Sequence, residues 1–285
     1  SIGSAEEHQT FDLAVFDQIL VIGFGKATAN MALAMEEILG SRISDGVISV
    51  KYGHTAELKQ VRLIEAGHPV PDENSLLAAA SIRDLISPVD EKTLVITLIS
   101  GGGSALVSYP VDFPKVSGNP QLTLADKQSV TRLLLDCGAN IHEINSVRKH
   151  LSGIKGGKLA RLISPATSLS LILSDVVGNN LNVIASGPTT PDDSTFEDIQ
   201  IVFEQYGLLD QIPGIVRQIL SLGLQKQIPE TPKPSDPIFQ KMSNLLLGTN
   251  ELALADCKLE AEKLGFKTQV MTSGLTGEAR DAAAE

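Results

Sequence analysis

The sequence predicts an α/β protein built on a doubly wound, mostly parallel β-sheet, followed by the start of a second, smaller α/β domain that is incomplete in this chain. Short β-branched apolar runs alternate with longer segments of helical period. The apolar runs are continuous, which is typical of strands that helices cover on both faces. A proline-rich stretch at 229–237 interrupts the alternation, which then resumes.

The first half of the chain contains four predicted strands, namely Gln18–Gly23, Gly46–Val50, Val61–Ala66 and Leu94–Ser100. Two segments between them have helical period, Lys26–Leu39 and Asp72–Ile86. Asp72 is expected to be the N-cap of the second helix, because a short carboxylate accepts from free amides at a helix start.

The second half continues the pattern with one predicted strand at Leu169–Leu173 and four predicted helices, Leu124–Cys137, Gly156–Ile163, Thr195–Tyr206 and Pro213–Leu222. The stretch 229–237 holds four of the 14 prolines of the chain and predicts an extended linker. Beyond it we expect strands at Asn244–Leu247 and Phe266–Met271 and helices at Asn250–Leu264 and from about Gly277. The predicted domains are therefore 1–228, the linker 229–237, and an incomplete second domain at 238–285.

Composition narrows the classes of function. The chain has 34 acidic residues against 23 Lys and Arg, and a net charge of −11 argues against binding nucleic acid or an anionic membrane. Cys137 and Cys257 form no disulfide framework and no metal-binding pattern. There is no apolar run of about 18 residues and no leader-like start, so we expect a cytoplasmic protein with small-molecule ligands.

Two glycine-rich turns follow predicted strands. Gly23–Thr28 places Lys26 at a strand-to-helix junction, where glycines let amides approach an anion. Gly101, Gly102 and Gly103 follow the most apolar strand, and Ser100 and Ser104 flank them. Such a loop forms a nest of N–H donors. For the loop at Lys26, the alternative is a tight turn with a solvated lysine. For the loop at Gly101–Gly103, the alternative is a flexible turn.

A basic segment spans Arg148–Arg161 and contains five of the 23 Lys and Arg residues and no acidic residue. Its glycines, among them Gly156 and Gly157, precede a predicted helix, so the segment combines amides with cations such as Lys149 and Lys155. The alternative is a solvated helix face.

An isolated acid, Asp175, follows the strand Leu169–Leu173 in a loop that has no other acid nearby. This position suits a general base or a Mg²⁺ ligand, with an N-cap or Asx-turn role as the alternative. His68 lies at another strand end and is a candidate catalytic residue, with a hydrogen-bonding role within its loop as the alternative. Because the carboxyl ends of parallel strands share one edge, we expect all these loops to form one crevice suited to phosphoryl transfer.

The residues that carry a family resemblance are Gly23–Ala27, His68–Asp72, Ser100–Ala105, Asn145–Gly157, Ser174–Val176 and Ile184–Thr189. Together, in this order, they resemble the glycerate 2-kinase family, whose members carry a MOFRL domain at the carboxyl end and include some bacterial proteins named hydroxypyruvate reductases.

The resemblance implies ATP-dependent phosphorylation of D-glycerate to 2-phosphoglycerate with Mg²⁺, and a large Rossmann-like domain that faces a smaller one across the active site. It implies that Lys26 and Asp175 are catalytic, Asp175 also being a Mg²⁺ ligand. The implied phosphate- and substrate-binding residues are His68, Ser100, Gly101, Gly102, Gly103, Ser104, Asn145, Arg148, Lys149, Lys155, Gly156, Gly157, Ser186, Gly187 and Thr189. A Gly-Gly-Arg-Asn motif of the family is expected beyond Glu285.

Two other functions stay open at this point. An NAD(P)H-dependent hydroxypyruvate reductase would use Gly23–Thr28 for the dinucleotide, but Thr28 replaces the third glycine and Lys51 stands where an acid would bind the ribose. The third hypothesis is a non-catalytic module that binds a phosphorylated metabolite. The oligomeric state, including a homodimer, is also open.

Overall fold

The computed structural model describes residues 2–3, 8–113, 121–275, 277 and 280. A short antiparallel pair, β1 (Ile2–Gly3) and β2 (His8–Gln9), precedes a six-stranded parallel sheet. The six strands are β3 (Gln18–Phe24), β4 (Asp45–Lys51), β5 (Val61–Ala66), β6 (Thr93–Ile99), β7 (Thr167–Leu173) and β8 (Met242–Gly248).

The helices in the described part of the chain are α1 (Thr28–Leu39), α2 (Glu73–Ile86), α3 (Gly103–Leu106), α4 (Leu124–Asp136), α5 (Ile141–His150), α6 (Lys158–Ile163), α7 (Phe196–Gln205), α8 (Gly214–Leu224) and α9 (Asn250–Lys263). None of them combines the length and the apolar character that crossing a membrane requires.

The strand order confirms the predicted doubly wound sheet. The order is β5-β4-β3-β6-β7-β8, and every neighbouring pair is parallel. Counted from β3, this is the order 3-2-1-4-5-6 of a Rossmann-type sheet. The direction of winding reverses between β3 and β6, and the crevice beyond the carboxyl ends of these two strands is where such sheets bind ligands.

Two apolar layers cover the sheet. Along β3, Ile19 and Val21 pack in one cluster with α1, whereas Ile22 and Phe24 pack in another with α2 and α6. All seven residues of β6 are buried, which explains why its sequence is a continuous apolar run. A third cluster joins α4, α5, α7 and α8 beside the sheet.

The structure differs from the sequence-based prediction in several elements, among them the unpredicted β1, β2 and α3. Helix α5 was not predicted, although Asn140 and Glu143 form a capping box at its start. The predicted strand Phe266–Met271 is wrong, because these residues form no strand. Helix α6 starts at Lys158 because Gly156 and Gly157 both have positive φ. The helix predicted from about Gly277 falls almost entirely outside the described residues.

The proline-rich stretch is irregular, as predicted, but it packs against the rest of the molecule. Thr231 and Pro232 are buried. The carbonyl of Pro232 accepts from the Asp192 amide at 2.9 Å. The next strand, β8, pairs with β7, so the sheet continues past the stretch. The division into domains at 229–237 stays a prediction.

Candidate active site at the switch point of the sheet

The loops that follow β3 and β6 are hydrogen-bonded to each other. The amide of Lys26 donates to the carbonyl of Gly101 at 2.9 Å, and the amide of Ala27 donates to the Oγ of Ser100 at 3.0 Å. The hydroxyls of Thr28 and Ser100 are 3.2 Å apart. These bonds hold the predicted lysine turn and the predicted triple-glycine loop together at the switch point.

Glycine is required in this loop because other groups approach its backbone closely. A Cβ on Gly101 would overlap the carboxylate of Asp175. Gly102 has a φ of +84°, and a Cβ there would lie 2.9 Å from Nε2 of His68. The sequence singled out this loop for its three glycines, and the structure supplies the neighbours that exclude side chains.

Lys26 and Asp175 form an accessible ion pair beside this loop. The Nζ of Lys26 lies 3.6 Å from Oδ2 of Asp175, and the side chains are 40% and 57% exposed. Asp175 also lines an open cleft of about 850 Å³, which Thr249 and Asn250 at the start of α9 border on another side. The two residues that the family resemblance implies to be catalytic are therefore in contact and open to a ligand.

His68 completes this group at the loop. Burial lowers the pKa of His68 below its ordinary value, and the nearby charges of Lys26 and Lys51 lower it further. The imidazole therefore favours the neutral form, in which one ring nitrogen donates a hydrogen bond and the other accepts one.

Several amides of the glycine loop are available to an anion. Within the described part of the chain, no acceptor lies in hydrogen-bond position for the amides of Gly101, Gly102 and Ser104. The amide of Gly103, by contrast, donates to the carbonyl of Ser100 at 3.3 Å. Successive free amides beside a lysine form a concave site for phosphate or carboxylate oxygens.

A second group of predicted residues meets at Ser104. Arg148 donates to the hydroxyl of Ser104 at 2.7 Å, and Lys155 donates to its carbonyl at 2.8 Å. The hydroxyls of Ser104 and Ser186 are 2.9 Å apart, and Ser186 donates to Oδ1 of Asn145 at 3.0 Å. Arg148 and Lys155 of the basic segment therefore fix the position of Ser104, at the end of the glycine loop.

Other predicted ligand residues have partners within the protein. Lys149 and Asp192 form a buried ion pair at 3.0 Å. The amides of Gly156 and Gly157 donate to the carbonyls of Ser186 and Gly187 at 3.0 and 2.8 Å, so they are not the bare donors that the sequence suggested.

The hydroxyl of Thr189 likewise has a protein partner, because it donates to Asn244 at 2.6 Å. The contacts of Thr189, Lys149, Gly156 and Gly157 favour structural roles. That these residues also bind phosphate or substrate stays a prediction.

Lys127, which lies on α4 and faces inward, is not among the residues predicted from the sequence. Its Nζ donates to the hydroxyl of Ser108 at 3.2 Å and to the carbonyl of Tyr109 at 3.4 Å. Burial, and then the charges of Arg148 and Lys158, lower its pKa to about 7. No local pattern marks this lysine, because its importance depends on which distant cations the fold brings near it.

The donors at the switch point suit Mg²⁺ bound together with phosphate better than a metal held by the protein alone. Among the described residues, no cluster of three or more His, Cys, Asp or Glu side chains could hold a metal. Mg²⁺ commonly takes one or two carboxylates and completes its shell with phosphate oxygens and water. Asp175 beside free amides fits that arrangement.

Comparison with known proteins gives consistent matches. Residues 2–221 match the family model described as a domain of unknown function, DUF4147. A glycerate 2-kinase of Pyrococcus horikoshii is 44% identical over 265 residues, and a D-glycerate 2-kinase of Thermotoga maritima is 39% identical over 270 residues. A protein of Agrobacterium vitis with a provisional hydroxypyruvate reductase name is 38% identical over 262 residues.

These alignments cover 93%, 93% and 92% of this chain but 57%, 59% and 63% of the three relatives. Two solved structures are also similar. A Pyrococcus horikoshii protein has a TM-score of 0.81 at 44% identity, covering 95% of this chain and 59% of that one. A Thermotoga maritima glycerate kinase has a TM-score of 0.77 at 37% identity, covering 90% and 57%.

Proposed function

The chain belongs to the DUF4147 family and is homologous to the glycerate kinases, and on that premise we propose that this protein transfers the γ-phosphoryl group of ATP to the 2-hydroxyl of D-glycerate. The products are 2-phosphoglycerate and ADP. The matched relatives are longer than this chain, so the proposal concerns the full-length protein. A cytoplasmic location, and ATP and D-glycerate as the substrates, are part of the same proposal.

The observation that carries the proposal is the contact of Lys26 and Asp175 beside a loop of free amides. Phosphoryl transfer needs positive groups around the transferred phosphoryl and an acceptor for the proton of the attacking hydroxyl. Lys26 and the amides of Gly101 and Gly102 provide the positive groups. Asp175, whose Oδ2 lies 3.6 Å from Nζ of Lys26, provides the proton acceptor.

In the proposed step, the hydroxyl oxygen of glycerate bonds to the γ-phosphorus while the bond from that phosphorus to the bridging oxygen breaks and ADP leaves. Asp175 accepts the hydroxyl proton. Lys26 stabilises the charge on the phosphoryl oxygens in flight. Mg²⁺, which the Asp175 carboxylate would hold, supplies further neutralisation of phosphate charge when it is bound. The open cleft beside Asp175 has room for a nucleotide.

The test is ADP release by the purified full-length protein with Mg²⁺ and ATP, with and without D-glycerate. We expect release only with D-glycerate, and 2-phosphoglycerate as the product by ³¹P NMR. Lys26→Ala should lower kcat by about 100-fold or more and change the KM for glycerate much less, because Lys26 acts on the transition state. Lys92→Gln is the matched control, since Lys92 forms an exposed ion pair with Asp17.

A folded wild-type protein that makes no phosphoglycerate would refute the proposal. The same experiment should also measure NADPH oxidation with hydroxypyruvate as the substrate, because one relative has a reductase name. We expect no NADPH oxidation, since Thr28 and Lys51 depart from the dinucleotide fingerprint.

A further inference from the structure

Four cationic side chains line a cavity that lies behind the glycine loop, and three of them contact the protein interior. Lys127, Arg148 and Lys155 border a cavity of about 400 Å³ between α4, α5 and the segment 69–71. Lys155 is only 3% exposed. The cavity does not include Lys26, His68 or Asp175 among its lining residues, and Ser104 is the contact between the two regions.

These cations have no acidic partner in the described part of the chain. Lys127 donates to Ser108 and to the carbonyl of Tyr109, Arg148 donates to Ser104, and Lys155 donates to the carbonyls of Ser104 and Val107. All five acceptors are neutral oxygens. Arg132, a further cation, and Asp136 are exposed at the border of the cavity. Asp136 forms no ion pair with Lys127, Arg148 or Lys155.

Lys155 is buried, and Lys127 and Arg148 are half-buried. Cations in such positions normally have an acidic partner, because removing an unpaired charge from water is costly. The neighbouring Lys149 follows the rule through its buried contact with Asp192 at 3.0 Å. In the cavity, burial lowers the pKa of Lys155 well below its ordinary value, and the charges of Lys127 and Arg148 lower it further. The charges of Lys127 and Arg148 therefore disfavour the protonated form of Lys155, and an anion bound among the three groups would offset this effect.

Half of the residues that line the cavity are apolar, although Gln128, Thr131, Arg132 and Asp136 also border it. The apolar walls are formed by α4, α5 and the segment 69–71, and they include Val130, Ile144, Val147 and Leu151. A cavity of roughly 300–1,000 Å³ with apolar walls and a few convergent polar groups is typical of small-molecule sites. Inorganic phosphate alone would leave those walls uncovered.

We propose that this cavity binds a small organic anion, with its acidic head group on Lys127, Arg148 and Lys155 and its apolar part against the walls formed by α4 and α5. The head group is a carboxylate or a phosphate monoester, since both accept the forked donors of a guanidinium. This site is separate from the Lys26–Asp175 centre, and the inference does not depend on the kinase activity.

The experiment is calorimetric titration of the full-length protein with hexanoate, with hexyl phosphate in a second arm and neutral hexanamide as the charge control. We expect hexanoate or hexyl phosphate to bind, and hexanamide to bind at least about ten-fold more weakly. Lys127→Met and Arg148→Met should each weaken binding about ten-fold or more, because a hydrogen bond to a charged group is lost. Circular dichroism checks that the variants fold.

Two controls separate this site from its surroundings. Lys92→Gln removes an exposed cation, and Lys26→Ala removes the cation of the proposed reaction centre. Both should leave the affinity for hexanoate and hexyl phosphate unchanged.

Three results would overturn the inference: no binding of either anion at millimolar concentration, equal affinity for hexanamide, or unchanged affinity in both Lys127→Met and Arg148→Met. Loss of binding in Lys26→Ala would overturn the separation of the two sites. Since binding is measured without turnover, a failed kinase assay leaves this test intact.

Discussion

Gly101 shows how closely the groups at the switch point approach each other. Its backbone needs no positive φ, so an alanine is compatible with the local conformation, but the added Cβ would overlap the carboxylate of Asp175. The side chain of Asp175 is exposed and can move away. A substitution at Gly101 therefore displaces the proposed base while leaving the fold largely intact.

We expect Gly101→Ala to lower kcat by about ten-fold or more, since even a shift of about 1 Å in a reacting group is costly to the rate. The urea midpoint should change little. Gly214→Ala is the matched control, because the nearest atom to a Cβ there, on Arg217, is 3.9 Å away. Full activity in Gly101→Ala would show that the close approach to Asp175 does not matter for the reaction.

Lys127 gives a prediction for stability against pH. Its pKa is about 7 in the folded protein and 10.5 in the reference state, so the unfolded chain binds more protons between these values. The free energy of unfolding therefore gains a contribution from Lys127 that rises with pH across this window. Below pH 7 the charged form destabilises the fold.

Lys127→Met removes that contribution. We expect the variant to be more stable than wild type at pH 6.5, and the advantage to fall by roughly half or more at pH 9.5. Urea midpoints at the two pH values, without added organic anions, measure it. A stability difference between Lys127→Met and wild type that does not change with pH would mean that the pKa of Lys127 is not lowered in the folded protein.

Helix α5 could have been predicted from the sequence. Strand β8 was predicted at Asn244–Leu247 and spans Met242–Gly248. The capping box of Asn140 and Glu143 and the apolar residues Ile144 and Val147 are local signals for α5. The predicted strand Phe266–Met271 is wrong for a physical reason. Met271 is 83% exposed and the segment has no neighbouring strand among the described residues, and an apolar run alone cannot supply one.

The proline-rich stretch is held by Glu230. Its carboxylate accepts from the amide of Phe196 at 2.8 Å and contacts Nε2 of His150 at 3.0 Å. Burial alone would raise the pKa of Glu230, but the contacts with His150 and Phe196 outweigh it and lower the pKa to about 2 from 4.5. The carboxylate therefore stabilises the fold fully above pH 4.5, and that contribution is lost as the pH falls towards 2.

Glu230→Gln should lower the urea midpoint at pH 6, and the difference from wild type should shrink at pH 3.5. Glu197→Gln is a suitable control, because Glu197 is an exposed acid in the first turn of α7. An equal difference at both pH values would show that the charge of Glu230 is not what holds the stretch.

For the whole molecule, the sheet explains why distant segments could be combined from sequence alone. Parallel strands place their carboxyl ends at one edge, so the loops containing Lys26, Gly101 and Asp175 had to share a side. The structure brings them into contact. The cavity at Lys127 could not be predicted in this way. It depends on how α4 and α5 pack against each other, and on the fact that no acidic side chain of the described residues forms an ion pair with its three inner cations.

The central claim is that Lys26 and Asp175 act as one unit on the phosphoryl group. The most direct measurement is a double-mutant cycle on kcat of the full-length protein, with Lys26→Ala, Asp175→Asn and the double variant. We predict that the double variant loses little more activity than the more damaging single variant, as for residues that act together. Losses that multiply, or single variants as active as wild type, would contradict the claim.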